Sequence, residues 1–317
     1  MAAKKRLKTA TKIVGAVSAI TAAEFGLAAY FYRRTMIRNE TKVERTIEMA
    51  GTDWSKYMPF ILERKVAMMK QEHYDEWTVS SDGLKLHGTW FPKGECKKVV
   101  ICFHGYTSQG MKDYIGLSGY YLEKGYAMLL VDERAHGESE GKYIGFGCLD
   151  RLDALKWVNW IIHKCGEETE ILLHGTSMGA ATVLMVSGLE LPTQVKGIVS
   201  DCAFTSPKEV FTHVLKSNYH IPAFPIMQLS DFINRKLSGY GLDECNAAIE
   251  VKKAKVPILL IHGTGDTFVP CSMCKRIYEN IASPKKMLLV EGAAHAECYY
   301  KDTAAYENAL TEFIGGL

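Results

Sequence analysis

Six short apolar runs, separated by stretches with helical periodicity, constrain the fold of this chain more than any other feature. Continuous apolar residues, in place of alternating ones, indicate strands that are covered on both faces. Strands separated by helices form a parallel sheet with right-handed crossovers. The runs are residues 99–103, 127–131, 171–173, 197–200, 258–261 and 287–290. The sequence therefore predicts an α/β fold, with a mostly parallel central sheet flanked by helices.

Two segments modify this alternation of strands and helices. Residues 76–91 alternate between apolar and polar side chains on both sides of the Ser-Asp-Gly at 81–83, which predicts a β-hairpin. The gap between residues 201 and 256 is too long for a simple crossover, so we expect a helical insert at about residues 205–255. Ligands of open α/β sheets bind at the carboxyl ends of the strands, where such an insert would act as a lid.

Charge and cysteine content narrow the class of protein. The formal net charge at pH 7 is only +2, which argues against a nucleic-acid-binding surface. The nine cysteines are an odd number without disulfide-framework spacing, which favours free thiols in a reducing compartment. Cys271 and Cys274 have C-x-x-C spacing but no second ligand pair, so we interpret them as thiols, with zinc binding or redox chemistry as the alternative. We expect neither a metal nor a cofactor.

The N-terminus differs from the rest of the chain. Ile13–Tyr32 is an apolar stretch of twenty residues with Lys and Arg on both sides, enough for about 30 Å of helix. Glu24 is the weak point of a spanning helix, because a carboxylate near mid-membrane costs a few kcal/mol. A cleaved signal peptide and a soluble or surface-lying helix are the alternatives. We favour a transmembrane anchor at residues 1–34, followed by an amphipathic connector at residues 35–75.

This interpretation predicts a location in the cell membrane with a single N-terminal span. The positive-inside rule does not orient the span, because five Lys or Arg residues lie on each side of it. The free cysteines favour placing the rest of the chain on the cytoplasmic side.

A serine between two glycines follows the third apolar run. Residues 175–179 read Gly-Thr-Ser-Met-Gly, a G-x-S-x-G motif between a predicted strand and a predicted helix. Ser177 could simply cap that helix, or the bend could expose it as a nucleophile. A nucleophilic serine needs a base and an acid that orients the base. Asp266 and His295 follow the last two apolar runs, in the order Ser, Asp, His, which favours the nucleophile.

Five motifs together resemble those of the α/β-hydrolase superfamily of serine hydrolases. They are CFHGYTSQG at 102–110, DERAHGESEG at 132–141, HGTSMGA at 174–180, HGTGDTFVP at 262–270 and GAAHAECY at 292–299. The resemblance covers residues 76–317 and is strongest to a bacterial esterase-like branch with an N-terminal membrane anchor and a lid. It implies an α/β-hydrolase domain over these residues.

The resemblance also implies a role for each site residue. Ser177 would be the nucleophile, His295 the general base and Asp266 the acid that orients the imidazole. The backbone N–H groups of Tyr106 and Met178 would form the oxyanion hole. The implied activity is hydrolysis of carboxylic esters of a small, apolar acyl substrate, without a cofactor. A thioesterase or peptidase with the same triad, or a non-catalytic binding protein of this fold, is the alternative.

Other polar residues at the strand ends leave alternatives open. Asp201 competes with Asp266 for the role of acid, because some relatives supply the acid after the sixth strand. Asp132 and Arg134 are expected to form a structural ion pair or to brace the loop that follows them. Three histidines precede a glycine at a strand end and are expected to be structural: His104, His174 and His262.

Overall fold

An eight-stranded sheet organises the part of the chain that this computed structural model describes, residues 21–38 and 52–317. The strands are β1 Tyr74–Val79, β2 Lys85–Phe91, β3 Lys98–Phe103, β4 Ala127–Val131, β5 Glu170–Thr176, β6 Val195–Asp201, β7 Ile258–Gly263 and β8 Lys285–Val290. Their order across the sheet is β1-β2-β4-β3-β5-β6-β7-β8. Strands β3 to β8 contain the six apolar runs, and β1–β2 is the predicted hairpin. The predicted α/β fold with a mostly parallel central sheet is confirmed.

The sheet is mostly parallel, with antiparallel strands at one edge. β1 and β2 are antiparallel to each other, β2 is antiparallel to β4, and all other neighbours are parallel. Every residue of β4 and β7 is buried, as expected for strands with helices on both faces. The edge strand β1 instead alternates between exposed and partly buried residues. The carboxyl ends of β3 to β8 therefore meet along one edge of the sheet.

Helices cover both faces of the sheet. The described part of α1 spans residues 21–36, and the helices after it are α2 Met58–Met69, α3 Gly110–Glu123, α4 Asp150–Cys165, α5 Met178–Val186, α6 Pro207–Ser217, α7 Ile226–Leu237, α8 Ala247–Glu250, α9 Cys271–Asn280, α10 Cys298–Lys301 and α11 Thr303–Ile314. Helix α5 is buried over its whole length. It lies in the main hydrophobic core, while α2, α3 and α11 pack in a second core on the opposite face.

Helix α1 packs against the sheet domain with one face. Ala28, Tyr32 and Met36 are spaced four residues apart, are at most 3% exposed and belong to the main core. The Tyr32 hydroxyl lies 2.8 Å from Ser238 Oγ at the end of α7. The Arg38 N–H donates to the carbonyl of Lys142, over 2.8 Å. The helix is thus fixed to the domain along its side and just beyond its end.

The predicted membrane anchor at residues 1–34, and with it the location in the cell membrane, is wrong. Within residues 21–38 and 52–317, no helix combines the length and the apolar character that crossing a bilayer demands. Residues 13–20 of the predicted span lie outside the described residues. Its second half lies in α1, whose apolar side chains form a stripe at helical spacing and pack on the protein core. Apolar content alone does not distinguish these two surroundings.

Helix α2 of the predicted connector and the helices of the predicted insert pack on opposite faces of the sheet. Residues 39–51 of the predicted connector lie outside the described residues, and the rest of it includes α2, whose Met68 is buried in the second core. Helices α6, α7 and α8 lie between β6 and β7, within the predicted insert. They pack with the main core, on the same side as α1 and α5.

Candidate active site

Ser177 lies at a tight bend between β5 and α5. Its backbone has φ 54° and ψ −108°, a conformation that is strained for a residue with a side chain. The side chain forms no capping hydrogen bond with α5, so the hydroxyl does not act as a helix cap. The bend therefore presents the hydroxyl to other groups at the carboxyl edge of the sheet.

The two glycines of the motif allow this bend because of what lies beside them. A Cβ atom on Gly175 would overlap the backbone of Gly179, and one on Gly179 would overlap the carbonyl of Phe103. Both positions thus need a residue without a side chain. The spacing of the motif follows from these two close approaches, one within the bend and one to the end of β3.

Ser177, His295 and Asp266 form a continuous hydrogen-bonded chain. Ser177 Oγ lies 2.8 Å from His295 Nε2, and His295 Nδ1 lies 2.7 Å from Asp266 Oδ2. All three residues are at least nine-tenths buried. In the arrangement that satisfies every partner, His295 donates from Nδ1 to Asp266 and accepts the serine proton at Nε2. The structure thus brings together three residues from three separate strand ends.

Asp266 is held as a carboxylate by its surroundings. Its Oδ1 accepts the backbone N–H groups of Phe268 and Val269, at 2.9 and 2.8 Å. Burial by itself would raise the pKa of Asp266, but the neighbouring His295 and His262 outweigh it and hold the pKa well below the ordinary value. The side chain is therefore ionised at neutral pH.

His262 contacts the acid directly, which the sequence did not indicate. Its Nε2 lies 3.3 Å from Asp266 Oδ2 and 2.9 Å from the carbonyl of Val269. The residue is structural, as predicted, but the structure it supports is the loop that carries Asp266. The spacing of four residues between His262 and Asp266, from the end of β7 into the following turn, is the signal that could have suggested the contact.

Asp201, the competing acid, points to a different neighbour. Its Oδ2 accepts a hydrogen bond from the Tyr306 hydroxyl over 3.1 Å, while its backbone carbonyl accepts the N–H of Ser177. Burial raises the pKa of Asp201 to about 6. The structure therefore pairs His295 with Asp266 and places the Asp201 carboxyl against α11.

The two residues expected to supply the N–H groups of an oxyanion hole belong to the two segments that adjoin Ser177. Met178 is the first residue of α5, where backbone N–H groups have no partner within the helix. Tyr106 lies in the loop after β3. The Gly179 N–H donates to the His104 carbonyl over 3.0 Å, which ties that loop to α5. At Gly105 a Cβ atom would lie 3.4 Å from Ser177 Cβ, so the loop passes directly beside the serine.

The remaining polar residues predicted as structural brace the surrounding loops. Arg134 pairs with Asp153 and Asp82, and not with Asp132 as expected. Asp132 instead contacts His87 Nδ1 over 2.8 Å and accepts the backbone N–H of Glu138, so it does brace the loop that follows. His104 accepts the N–H of Glu133, and His174 contacts the hydroxyls of Tyr121 and Tyr306.

An apolar cavity of about 100 Å³ opens beside Ser177. Its walls come from three parts of the chain: Phe31, Tyr32, Thr35 and Met36 of α1; Phe211, Val214, Leu215 and Met227 of the insert; and Tyr106, Phe146, Phe204 and Phe268 of the strand-end loops. Among the described residues that line it, Arg34 is the one charged side chain and there is no carboxylate. The cavity thus suits an uncharged, apolar group next to the serine.

All nine cysteines are free, with Cys271 partly exposed and Cys274 buried. In the described part of the chain, no group of three or more His, Cys, Asp or Glu side chains is arranged to hold a metal ion.

Sequence comparison identifies related proteins. Residues 94–237 match the Hydrolase_4 family, described as serine aminopeptidase, S33. The uncharacterized protein YqkD of Bacillus subtilis is 28% identical over 240 residues, which cover 75% of this chain and 78% of that protein. The lysophosphatidylserine lipase ABHD12 of Danio rerio is 26% identical over 204 residues, which cover 62% of this chain and 51% of that protein.

Solved structures give the same fold. Three crystal forms of the Pyrococcus furiosus esterase Pf2001 superpose with TM-scores of 0.62 to 0.65 and sequence identities of 24 to 26%. The superpositions cover 78% of this chain and 92 to 94% of the esterase. The chain has the α/β-hydrolase fold.

Proposed function

We propose that this protein hydrolyses carboxylic esters through an acyl-enzyme on Ser177. The proposal rests on the chain of short hydrogen bonds from Ser177 Oγ through His295 to Asp266, with an apolar cavity beside Ser177. In this proposal His295 is the general base, Asp266 orients it, and the N–H groups of Tyr106 and Met178 form the oxyanion hole. The activity belongs to the carboxylesterase type of serine hydrolase.

The proposed reaction has two halves that use the same groups. Ser177 Oγ attacks the ester carbonyl carbon while His295 Nε2 takes the serine proton. The negative charge on the carbonyl oxygen is stabilised by the two backbone N–H groups, each worth about 3 kcal/mol. His295 then protonates the departing alcohol, and the acyl group stays on Ser177. Water attacks the acyl-enzyme with His295 again as base, which releases the acid and restores the serine.

The composition of the cavity favours an ester over a peptide with a free amino terminus. An aminopeptidase must bind the substrate's ammonium group, which calls for a carboxylate near the serine. The described residues that line the cavity include no carboxylate. A thioester would use the same groups as an oxygen ester and is the alternative within this mechanism.

Within this proposal, residues 76–317 form the catalytic domain, and α6 and α7 of the insert at about residues 205–255 serve as its lid. Both helices contribute side chains to the cavity wall. Their apolar residues would then exclude water from the acyl-enzyme until product leaves.

Covalent labelling tests the proposed nucleophile. A fluorophosphonate reacts with a serine that has an active base, so we expect one adduct on the peptide that contains Ser177 and none in Ser177→Ala. A parallel assay compares p-nitrophenyl acetate with alanine p-nitroanilide. Turnover of the anilide and not of the ester, dependent on Ser177, would replace the esterase by a peptidase. Absence of any adduct in folded protein would favour a non-catalytic binding protein.

A further inference from the structure

Helix α1 forms a wall of the cavity beside Ser177, although it precedes the proposed catalytic domain in sequence. Phe31, Tyr32, Thr35 and Met36 all line the cavity. They fall on adjacent rows of one helix face, because residues four apart in a helix lie one above the other. The cavity is therefore incomplete without residues 31–36.

Two of these residues are well placed to limit the size of the cavity. Met36 is 2% exposed, and its backbone carbonyl accepts the N–H of Ile144 over 2.9 Å, which fixes the helix end against the domain. The Thr35 hydroxyl donates to the Phe31 carbonyl over 2.8 Å. Its hydrogen-bonding need is thus met within α1, and the side chain can border an apolar group without desolvation of an unpaired hydroxyl.

The volume of the cavity sets a scale for the group it accepts. An engineered cavity of about 150 Å³ binds benzene, which corresponds to roughly 25 Å³ for each carbon atom. On this scale the cavity of about 100 Å³ holds about four carbon atoms.

We propose that α1 determines the acyl-chain selectivity of this enzyme, that Met36 and Thr35 set the limit, and that the unaltered cavity takes an acyl chain of about four carbons. The proposal rests on the proposed ester hydrolysis for its substrate. Its basis is the set of α1 side chains around the cavity, whichever reaction Ser177 performs.

The first test enlarges the cavity. Met36→Ala removes three heavy atoms, and each buried methylene is worth about fourfold in binding. We expect the ratio of kcat/KM for p-nitrophenyl octanoate to that for the butyrate to rise at least tenfold. Met68→Ala is the matched control, because Met68 is 1% exposed but lies in the second core and does not line the cavity. Its ratio should equal that of the wild type.

The second test fills the cavity. Thr35→Leu adds bulk at the wall, so kcat/KM for the butyrate should fall at least tenfold relative to the acetate. Thr303→Leu is the matched control, because the Thr303 hydroxyl also donates to the carbonyl four residues earlier, over 2.8 Å, on α11. Its acetate-to-butyrate ratio should stay unchanged. Equal shifts in the Thr35 and Thr303 variants would contradict a role of the α1 wall.

A binding measurement separates this proposal from the proposed reaction. Primary fatty amides of two to ten carbons are titrated calorimetrically into the full-length wild type, Met36→Ala and Met68→Ala. We expect the preferred length to increase by two to four carbons in Met36→Ala alone. The same preference in all three folded proteins would overturn the proposal. A shifted preference without Ser177-dependent ester turnover would overturn the esterase function and leave the α1 wall intact.

Discussion

The carboxyl edge of the sheet and the helical wall of the cavity are built in opposite ways. At the sheet edge, polar side chains are fixed by several short hydrogen bonds, as Asp266 is by two backbone N–H groups and two histidines. The wall is apolar and combines distant segments, and Tyr32 meets Ser238 across 206 positions of sequence. Burial of apolar surface holds the wall together, and hydrogen bonds join α1 to the domain beside its carboxyl end.

Substitutions in the two regions should therefore affect different properties of the protein. Groups at the sheet edge are held at hydrogen-bond distance from one another. We therefore expect substitutions there to alter the rate of the chemical step. The wall offers area and shape, so we expect changes there to alter stability and the choice of substrate, by a few kcal/mol at most.

The largest effect is expected at the serine itself. Ser177→Ala should lower kcat by a factor on the order of 10⁶, as for loss of the nucleophile in other serine hydrolases. The free energy of unfolding should change by less than about 1 kcal/mol, because the hydroxyl does not cap α5. Steady-state ester kinetics and urea unfolding give the two values. Residual activity within tenfold of the wild type would remove Ser177 from the mechanism.

A smaller effect should separate the two aspartates at neighbouring strand ends. Asp266→Asn should lower kcat by about 10³- to 10⁴-fold, because the amide favours the wrong tautomer of His295. Asp201→Asn should change kcat by less than about tenfold, since that carboxyl contacts Tyr306. The same kinetic assay on both folded variants is sufficient. The reverse ranking would make Asp201, at the end of β6, the acid that orients His295.

Asp201 should instead show its effect in the pH dependence of stability. Its pKa is raised by burial from an ordinary 3.8 to about 6, so the folded protein loses stability from this group as pH rises from about 4 to 6. Asp201→Asn removes that loss. Relative to the wild type, the variant should gain up to about 3 kcal/mol above pH 7 and almost nothing at pH 4.

Thermal unfolding of the wild type and Asp201→Asn across pH 4 to 8 measures this gain. Tyr306→Phe is the control, because it removes the hydroxyl that donates to Asp201 and should make the ionised carboxyl costlier. A constant difference between wild type and Asp201→Asn over the whole range would mean that Asp201 does not titrate in it.

The sheet edge was largely predictable from sequence because local rules determine it. Each apolar run became a strand, and the glycines around Ser177 mark a bend that needs close backbone approach. Asp266 and His295 follow the ends of strands, and parallel strands bring their carboxyl ends to one edge. The choice between Asp201 and Asp266 was left open, because it depends on the turn at residues 266–269, whose amide groups orient one carboxyl.

The helical wall was not predictable in the same way. The apolar face of α1 has the same spacing whether a bilayer or a protein core covers it, and the carboxylate of Glu24 was the feature that argued against a span. The hydroxyl of Tyr32 and its partner Ser238 are informative only once the fold brings them together. Long-range apolar packing has no local motif, and the prediction of an anchor was wrong for that reason.

The smallest effect tests how α1 is held on the domain. Burial raises the pKa of Tyr32, and its hydroxyl bonds Ser238 Oγ over 2.8 Å, a contact worth about 1 kcal/mol. Tyr32→Phe and Ser238→Ala should each lower the free energy of unfolding by about that amount, and the double variant by less than the sum. Urea unfolding of the four proteins closes this double-mutant cycle. Ester turnover of p-nitrophenyl acetate should stay within about twofold in all four, because the bond lies in the wall and touches none of the proposed catalytic groups. Additive losses would show that the two hydroxyls do not interact, and α1 would then be held by its apolar face and by the backbone hydrogen bonds at its carboxyl end.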